Sequence, residues 1–209
     1  IYCEQGEIKK SLNLLKGLYR AVAKKRWPYQ MCIIKLHMSE VLIKDGDPVA
    51  ARRCARDGLR LARAMQSASL EAHSRLLLGL VSFDLWKSGD LDRDGRPTAA
   101  PDGAGTAPET AINQLQDCCR MTESSGHLDL AWRGHVELCR IFKWLSRLEE
   151  SLSHGRKAYE LLCKLEDRIP SDSLYSFYRA FGRSHIKFDL VRLIDALSMD
   201  RQGDPGRNE

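Results

Sequence analysis

The chain has 209 residues, with 33 lysines and arginines against 28 aspartates and glutamates. Its hydrophobic fraction of 43% lies near the globular average, which excludes a disordered chain. No run of about 18 apolar residues occurs that could span a bilayer, and the N-terminus lacks a signal-peptide pattern. We therefore expect a cytoplasmic protein without membrane insertion, and the formal charge of +5 is too small to indicate nucleic-acid binding.

The seven cysteines do not have the spacing of a disulfide framework. Five are scattered within helical patterns: Cys3, Cys32, Cys54, Cys139 and Cys163. Cys118 and Cys119 are adjacent, so on a helix they point in different directions and cannot form a redox pair. We expect reduced, mostly buried thiols.

Apolar residues recur at intervals of three and four, and strand-type alternation is absent, so the sequence predicts an all-α fold. The predicted helices span residues 7–26, 30–44, 47–66, 69–87, 109–124, 128–146, 149–167 and 172–197. The last of them is expected to break near Lys187. Asp47 before Pro48 is typical of a helix start. The short turns between helices predict antiparallel hairpins.

Small residues recur in a 40-residue register, where two helices must approach closely. On the second helices of the hairpins they are Ser11, Ala51, Ala111 and Ser151, and on the first helices they are Ser39, Gly79 and Cys139. The spacing is 40 residues throughout, except for one step of 60 in each series. Both long steps cross the same segment, so the pattern predicts an internal repeat interrupted by about 20 residues.

That segment, residues 90–108, is rich in glycine, proline and alanine, and its composition predicts a disordered insertion. We therefore expect hairpins over residues 1–89, hairpins continuing the same array over 109–199, and a disordered tail over 200–209. The chain begins directly before a turn and without an initiator methionine. This favours a fragment of a longer repeat protein.

Two segments resemble the tetratricopeptide family, which places a small residue on the first helix and small residues on the second. The first has Met38, Ser39, Leu42, Gly46, Asp47, Ala51, Ala55 and Gly58; the second has Leu138, Cys139, Phe142, Ser151, Gly155 and Ala158. The resemblance implies an alpha-solenoid of stacked hairpins that binds proteins. The usual period of the family is about 34 residues, and its tryptophan, tyrosine and closing proline are missing here, so the chain is nearer the longer-hairpin branch.

Chemical motifs are weak. Asp90, Asp92, Asp94 and Gly95 match the opening of a calcium-binding loop, but Pro101 stands where the bidentate glutamate is needed. His135 and Cys139 have the spacing of a zinc-ligand pair on a helix, yet two ligands do not make a site. Because phosphate-binding and nucleophile motifs are also absent, we expect no metal, no cofactor and no enzymatic activity.

The resemblance also implies a groove lined by the first helices, here mixed basic and apolar. Its residues are His73, Leu76, Leu80 and Phe83 on one helix and Arg133, Val136, Arg140 and Lys143 on another. Such a surface suits an acidic or amphipathic peptide segment. The alternative is that Leu76, Phe83 and Val136 pack between adjacent repeats. Trp86, Trp132 and Trp144 are expected to lie in the core.

A second basic surface is a stripe of arginines that could bind an acidic tail or phosphates. It comprises Arg52, Arg53, Arg56, Arg60 and Arg63. The alternative is a solvated helix face, since Asp57 interrupts the stripe.

We expect a non-catalytic protein-interaction scaffold from a large eukaryotic assembly, with a lean toward cilia or the cytoskeleton. One alternative is a regulatory arm of a signalling ATPase or cyclase, and another is a basic nucleic-acid-binding repeat. A nucleotide-binding domain elsewhere in the parent chain would identify the first, and binding that falls steeply with salt would identify the second.

Overall fold

The computed structural model describes residues 7–88, 108–179 and 183–202. The helices are α1 (Ile8–Lys24), α2 (Pro28–Asp45), α3 (Pro48–Ala64), α4 (Ala68–Lys87), α5 (Pro108–Ser125), α6 (Leu128–Trp144), α7 (Leu148–Glu166), α8 (Leu174–Arg179) and α9 (Arg183–Gln202). A 3-10 turn, Ser171–Ser173, precedes α8. These ranges contain no β-strand. Helices α1 to α5 pack each on the next, and α6 packs on α7, which confirms the all-α stack of hairpins.

The predicted helix 172–197 is two helices in the structure, α8 and α9. The predicted break near Lys187 is wrong, because that residue lies inside α9. Helix α9 runs to Gln202, three residues into the segment predicted as a tail. Of the predicted insertion, residues 90–107 lie outside the described residues, as does the calcium-loop motif within it, and Pro108 begins α5.

The chain divides into two compact units, which we call unit 1 (Ile1–Ser125) and unit 2 (Gly126–Glu209). In unit 1 each helix from α1 to α5 packs on the next, and α2 also contacts α4. Leu36 and Leu77 are almost completely buried in its core. In unit 2, α6 packs on α7, and α9 packs on α7 and α8. Trp132 and Leu162 form part of the core of unit 2.

Most helices in unit 1 and unit 2 end in a residue with left-handed backbone conformation. These residues are Arg26, Gly46, Gln66, Gly126 and Ser146. After Arg26, for example, the Trp27 N–H donates to the Val22 carbonyl at 3.3 Å, the bond of a Schellman motif. Gln66 follows Arg26 by 40 residues and Ser146 follows Gly46 by 100, so the turns keep the register of the small residues.

Helix α3 starts as the sequence predicts. The Asp47 carboxylate accepts a hydrogen bond from the Ala50 N–H at 2.9 Å, which satisfies one of the free N–H groups of the first turn. Pro48 occupies the first turn, where its missing N–H costs nothing.

Two hairpins share one polar contact at equivalent positions. In the hairpin of α2 and α3, the Ser39 hydroxyl donates to the Ala51 carbonyl at 2.9 Å. In the hairpin of α6 and α7, the Ser151 hydroxyl donates to the Cys139 carbonyl, also at 2.9 Å. The two residues of each pair are 12 positions apart, and the two pairs are 100 positions apart. The hydroxyl comes from the first helix in one hairpin and from the second helix in the other.

The hairpin of α4 and α5 makes the same approach without a hydroxyl. A Cβ placed on Gly79 would lie 2.5 Å from Leu115 Cγ and 3.2 Å from the Ala111 carbonyl oxygen. A side chain fits there only if Leu115 shifts, so the close packing of the helices favours glycine. The three contacts together are compatible with a helical repeat.

None of the described helices combines the length and the apolar character that a bilayer crossing requires.

Candidate functional site

A groove with a volume of about 430 Å³ lies between α6 and α9, entirely within unit 2. Its apolar surface comes mainly from Val136 of α6 and from Ile186, Leu190 and Leu193 of α9. Its charged residues are Arg140 and Lys143 of α6 and Asp189 and Arg192 of α9. Cys139 and Ala196 complete the lining. We call this surface the α6/α9 groove.

The shape of the groove follows from helix periodicity. Val136, Arg140 and Lys143 are spaced by four and three residues, so they share one face of α6. On α9 the lining runs from Ile186 to Ala196, eleven residues that span about 15 Å of helix. The groove is therefore elongated along the two helices.

The electrostatic character of the groove is basic, with three cations and one carboxylate. Arg140 is exposed and donates to Glu137 on its own helix at 2.9 Å, and Lys143 and Arg192 are also exposed. The Arg192 guanidinium lies 5.7 Å from the centroid of the Phe188 ring. The rim therefore presents positive charge to solvent above an apolar floor.

Cys139 adds no nucleophile to the groove. Burial raises the pKa of its thiol, against the smaller lowering effects of the Ser151 hydrogen bond and of Lys143. Its Sγ lies 3.5 Å from the Ser151 hydroxyl oxygen. The thiol therefore remains protonated at neutral pH and packs as a small apolar group.

The N-terminal part of α9 is anchored by an arginine. Arg183 is buried, and its guanidinium donates to Asp129 of α6 at 2.6 Å and to the Phe177 carbonyl at 3.1 Å. The same group lies 4.3 Å from the Phe177 ring centroid, a cation-π distance. These contacts fix the start of the helix that forms one wall of the groove.

A lysine anchors α9 farther along. Lys187 donates to Glu166 of α7 at 2.5 Å and to the Tyr178 hydroxyl at 2.9 Å. The bond from Lys187 is the main reason that the pKa of Glu166 is lowered. Burial opposes the charge on Lys187, but its bonds to Glu166 and Tyr178 raise the pKa of the ammonium on balance. The pair therefore stays ionised and holds α9 against α7.

Three of the four residues predicted on the first helix of unit 2 line the groove: Val136, Arg140 and Lys143. Val136 is only 3% exposed and forms the floor. Arg133 does not line the groove and is half-buried. The α9 wall, including Arg192, was missed, because the sequence offers no signal for which face of α9 meets α6.

The equivalent face in unit 1 is closed. Leu76 is fully buried and Phe83 is nearly so, stacking on Trp86 with ring centroids 5.7 Å apart. His73 Nε2 lies 3.1 Å from Glu40 Oε1 of α2, and Leu80 packs against the core. The burial of Leu76 and Phe83, and of Val136 in unit 2, agrees with the packing alternative for all three residues.

The arginine stripe has fewer exposed members than the sequence pattern predicts. Arg52 is buried, so it does not belong to a solvated stripe. The exposed members are Arg53, Arg56, Arg60 and Arg63. Arg63 donates to Glu71 of α4 at 3.2 Å, and Asp57 forms an ion pair with Lys35 at 2.7 Å.

His135 and Cys139, which have the spacing of a zinc-ligand pair, contact other side chains. His135 Nδ1 lies 2.8 Å from His154 Nδ1 of α7, a pairing that the sequence did not indicate. In residues 7–88, 108–179 and 183–202 no cluster of three or more histidine, cysteine or acidic residues has the geometry to hold a metal ion.

Among the tryptophans, the prediction of a core position is right for Trp132, which is 1% exposed. Trp86 is partly buried. The prediction is wrong for Trp144, which is 56% exposed, because the last turn of α6 presents it and Lys143 to solvent.

Five of the six cysteines in the described part of the chain are buried. Burial also raises the pKa values of Cys32, Cys54 and Cys119, which keeps these thiols protonated.

No known protein family matches this chain, and no curated protein is similar enough to count as a relative. The function must therefore be argued from the geometry of the site.

Proposed function

We propose that the chain is a non-catalytic protein-interaction scaffold whose α6/α9 groove binds a peptide segment of a partner protein. The observation that carries this proposal is the basic rim of Arg140, Lys143 and Arg192 above the apolar floor. Charged rims steer and orient a partner, while the apolar floor supplies affinity.

The shape of the groove favours a peptide over a compact small molecule. A length of about 15 Å accommodates roughly three turns of helix or four to five extended residues. Side chains at helical spacing on such a peptide would contact Ile186 and Leu193, the partly exposed apolar residues of the groove. The partner segment is therefore amphipathic, with leucine-like anchors and with aspartate or glutamate facing the rim.

The architecture we propose is a tetratricopeptide-like array with a period near 40 residues. It is supported by the hydroxyl contacts of Ser39 and Ser151, by the close approach at Gly79 and by the left-handed turn residues that keep the same register. A ciliary or cytoskeletal assembly, a signalling-ATPase parent and the absence of enzymatic activity stay predictions from the sequence.

Selection from a random peptide library on the immobilised full chain tests the proposed function. The expected result is enrichment of peptides that combine acidic residues with apolar anchors at intervals of three and four. A chain with Arg140→Glu, Lys143→Glu and Arg192→Glu is expected to lose this class of peptide, because the rim then repels it.

The matched control is Arg168→Glu, which reverses one exposed charge of unit 2 outside the groove. This variant is expected to retain the selected peptides. Enrichment of no acidic amphipathic class, or equal retention by the groove variant, would refute the proposal.

A further inference from the structure

The charges that line the α6/α9 groove are unevenly placed along it. Helix α9 contributes Asp189 and, three residues later, Arg192, while α6 contributes Arg140 and Lys143. All four side chains are exposed, so each is accessible to a bound peptide. Among the described residues that line the groove, Asp189 is the one carboxylate. Its position relative to the three cations therefore determines which part of the groove is acidic.

Helices α6 and α9 run in the same direction, which gives their residues a common order along the groove. Near the N-terminal ends, Arg183 of α9 bonds to Asp129 of α6, 54 residues earlier. Farther along, a Cβ on Gly155 would lie 3.2 Å from Cys139 Sγ and 3.9 Å from Leu193 Cδ2. Cys139 and Leu193 are also 54 residues apart. The same offset at two points along the helices requires a parallel arrangement.

This alignment places the carboxylate at one end of the charged part of the groove. With an offset of 54 residues, Asp189 of α9 is level with His135 of α6. Arg192, Arg140 and Lys143 then follow at about 4.5, 7.5 and 12 Å along the helix axes, because each helical residue rises by about 1.5 Å. The groove therefore has one acidic end, and the rest of its length is basic.

The Asp189 carboxylate is available to a ligand. Within residues 7–88, 108–179 and 183–202, no basic side chain forms an ion pair with it, although Arg192 lies only three residues away on the same helix. The Arg192 guanidinium lies against the Phe188 ring instead, 5.7 Å from its centroid. A basic side chain of a bound peptide could therefore pair with Asp189 without displacing a partner within the chain.

We infer that Asp189 is a specificity-determining residue of the α6/α9 groove and selects a basic residue at one end of the bound acidic peptide. The inference rests on the proposed function, since it concerns the same peptide. In a helical peptide the basic residue precedes or follows the acidic ones by about three to eight positions, which correspond to about 4.5 to 12 Å. The reversed peptide would place its acidic residues against Asp189, so the charges also fix the direction of binding.

Selection from the random peptide library tests this inference when the parent chain is compared with Asp189→Asn and Asp189→Lys. The acidic amphipathic peptides that bind the parent are expected to carry lysine or arginine at one flank, which is the same flank throughout the class. Asp189→Asn is expected to abolish the preference at this flank. Asp189→Lys is expected to replace it with aspartate or glutamate, because the charge at that end of the groove is reversed.

Two synthetic peptides measure the size of the effect. One is the best peptide selected on the parent chain, and the other carries glutamate in place of its basic flank residue. Fluorescence anisotropy is expected to show that the parent binds the first about fivefold more tightly, as for an exposed ion pair. Asp189→Lys is expected to reverse this order. A purely structural role of Asp189 would weaken both peptides alike and would not reverse it.

The matched control is Asp195→Lys, the same substitution at an exposed residue of α9 that does not line the groove. It is expected to leave the order of the two peptides unchanged. The inference alone is overturned if acidic amphipathic peptides are enriched without a basic flank, if Asp189→Lys does not reverse the order, or if Asp195→Lys reverses it equally. If no acidic amphipathic class is enriched, the proposed function and this inference are both overturned.

Discussion

The faces of α4 and α6 occupy equivalent positions in the register, yet one is closed and the other is open. Leu80 and Phe83 of α4 correspond to Arg140 and Lys143 of α6, each 60 residues later. Phe83 is 9% exposed and stacks on Trp86 of the same helix. Arg140 and Lys143 instead line a groove with a volume of about 430 Å³. The polarity of two positions thus distinguishes a face used for packing from a face that lines an open groove.

The closed face of α4 is expected to be essential for stability. Leu76→Ala removes a fully buried side chain from unit 1 and should lower the free energy of unfolding by about 3 kcal/mol. Lys143→Ala on the open face should change it by less than about 0.5 kcal/mol. Urea unfolding followed by circular dichroism measures both changes. Similar values for the two variants would contradict the difference between the closed face of α4 and the open face of α6.

Two glycines compare the close packing of α4 with an open position on α1, and their substitutions should change stability in opposite directions. Gly79→Ala places a methyl group against Leu115 and should destabilise by about 1 to 2 kcal/mol. A Cβ at Gly17 of α1 meets nothing within 4 Å, so Gly17→Ala should stabilise by up to about 1 kcal/mol through helix propensity. Thermal unfolding midpoints that shift in the same direction would contradict the close approach at Gly79.

The two serine hydroxyl contacts are expected to contribute equally to the free energy of unfolding, although Ser39 lies on the first helix of its hairpin and Ser151 on the second. Ser39→Ala and Ser151→Ala should each lower the free energy of unfolding by about 1 kcal/mol. The control is Ser74→Ala, whose hydroxyl bonds at 2.7 Å to Leu70 in the same helix and should contribute little. An equal loss in all three variants would show that the contacts between helices have no special role.

The smallest expected effect is a pH dependence of stability from His37 of α2, whose partner Glu40 also contacts His73 of the closed face. The hydrogen bond to Glu40, which also faces His73, raises the pKa of His37 in the folded chain. This interaction therefore stabilises fully below the unfolded pKa of about 6.5 and is lost as pH rises through the higher folded pKa.

The variant His37→Gln removes that contribution. It should therefore be less stable than the parent at about pH 5.5, and the difference in the free energy of unfolding should disappear by about pH 8.5. The gap is small, because the His37 ring is more than half exposed. Urea midpoints at the two pH values measure it, and a gap that widens toward high pH would reverse the assigned sign.

The sequence is informative where a residue type has one physical explanation. Asp47 before Pro48 predicted the start of α3, and the small residues at positions 39 and 79 predicted where helices meet, because only small side chains permit that approach. The turns at Arg26 and Gln66 contain no glycine at these positions, so the sequence did not predict their left-handed backbone conformation.

The site was only half predictable. Arg140 and Lys143 follow from the resemblance and the register, but the α9 wall depends on how Arg183 and Lys187 anchor that helix. Those ion pairs join residues 54 and 21 positions apart, and no local pattern connects them.

A charge-swap titration tests the central claim, that the α6/α9 groove binds an acidic peptide, most directly. The dissociation constant of the best selected peptide is measured by fluorescence anisotropy against the parent chain and against Arg192→Glu. The account predicts affinity about tenfold weaker for the variant, and recovery when the facing acidic residue of the peptide is replaced by lysine. A dissociation constant that is unchanged by Arg192→Glu, with no recovery from the lysine peptide, would contradict it.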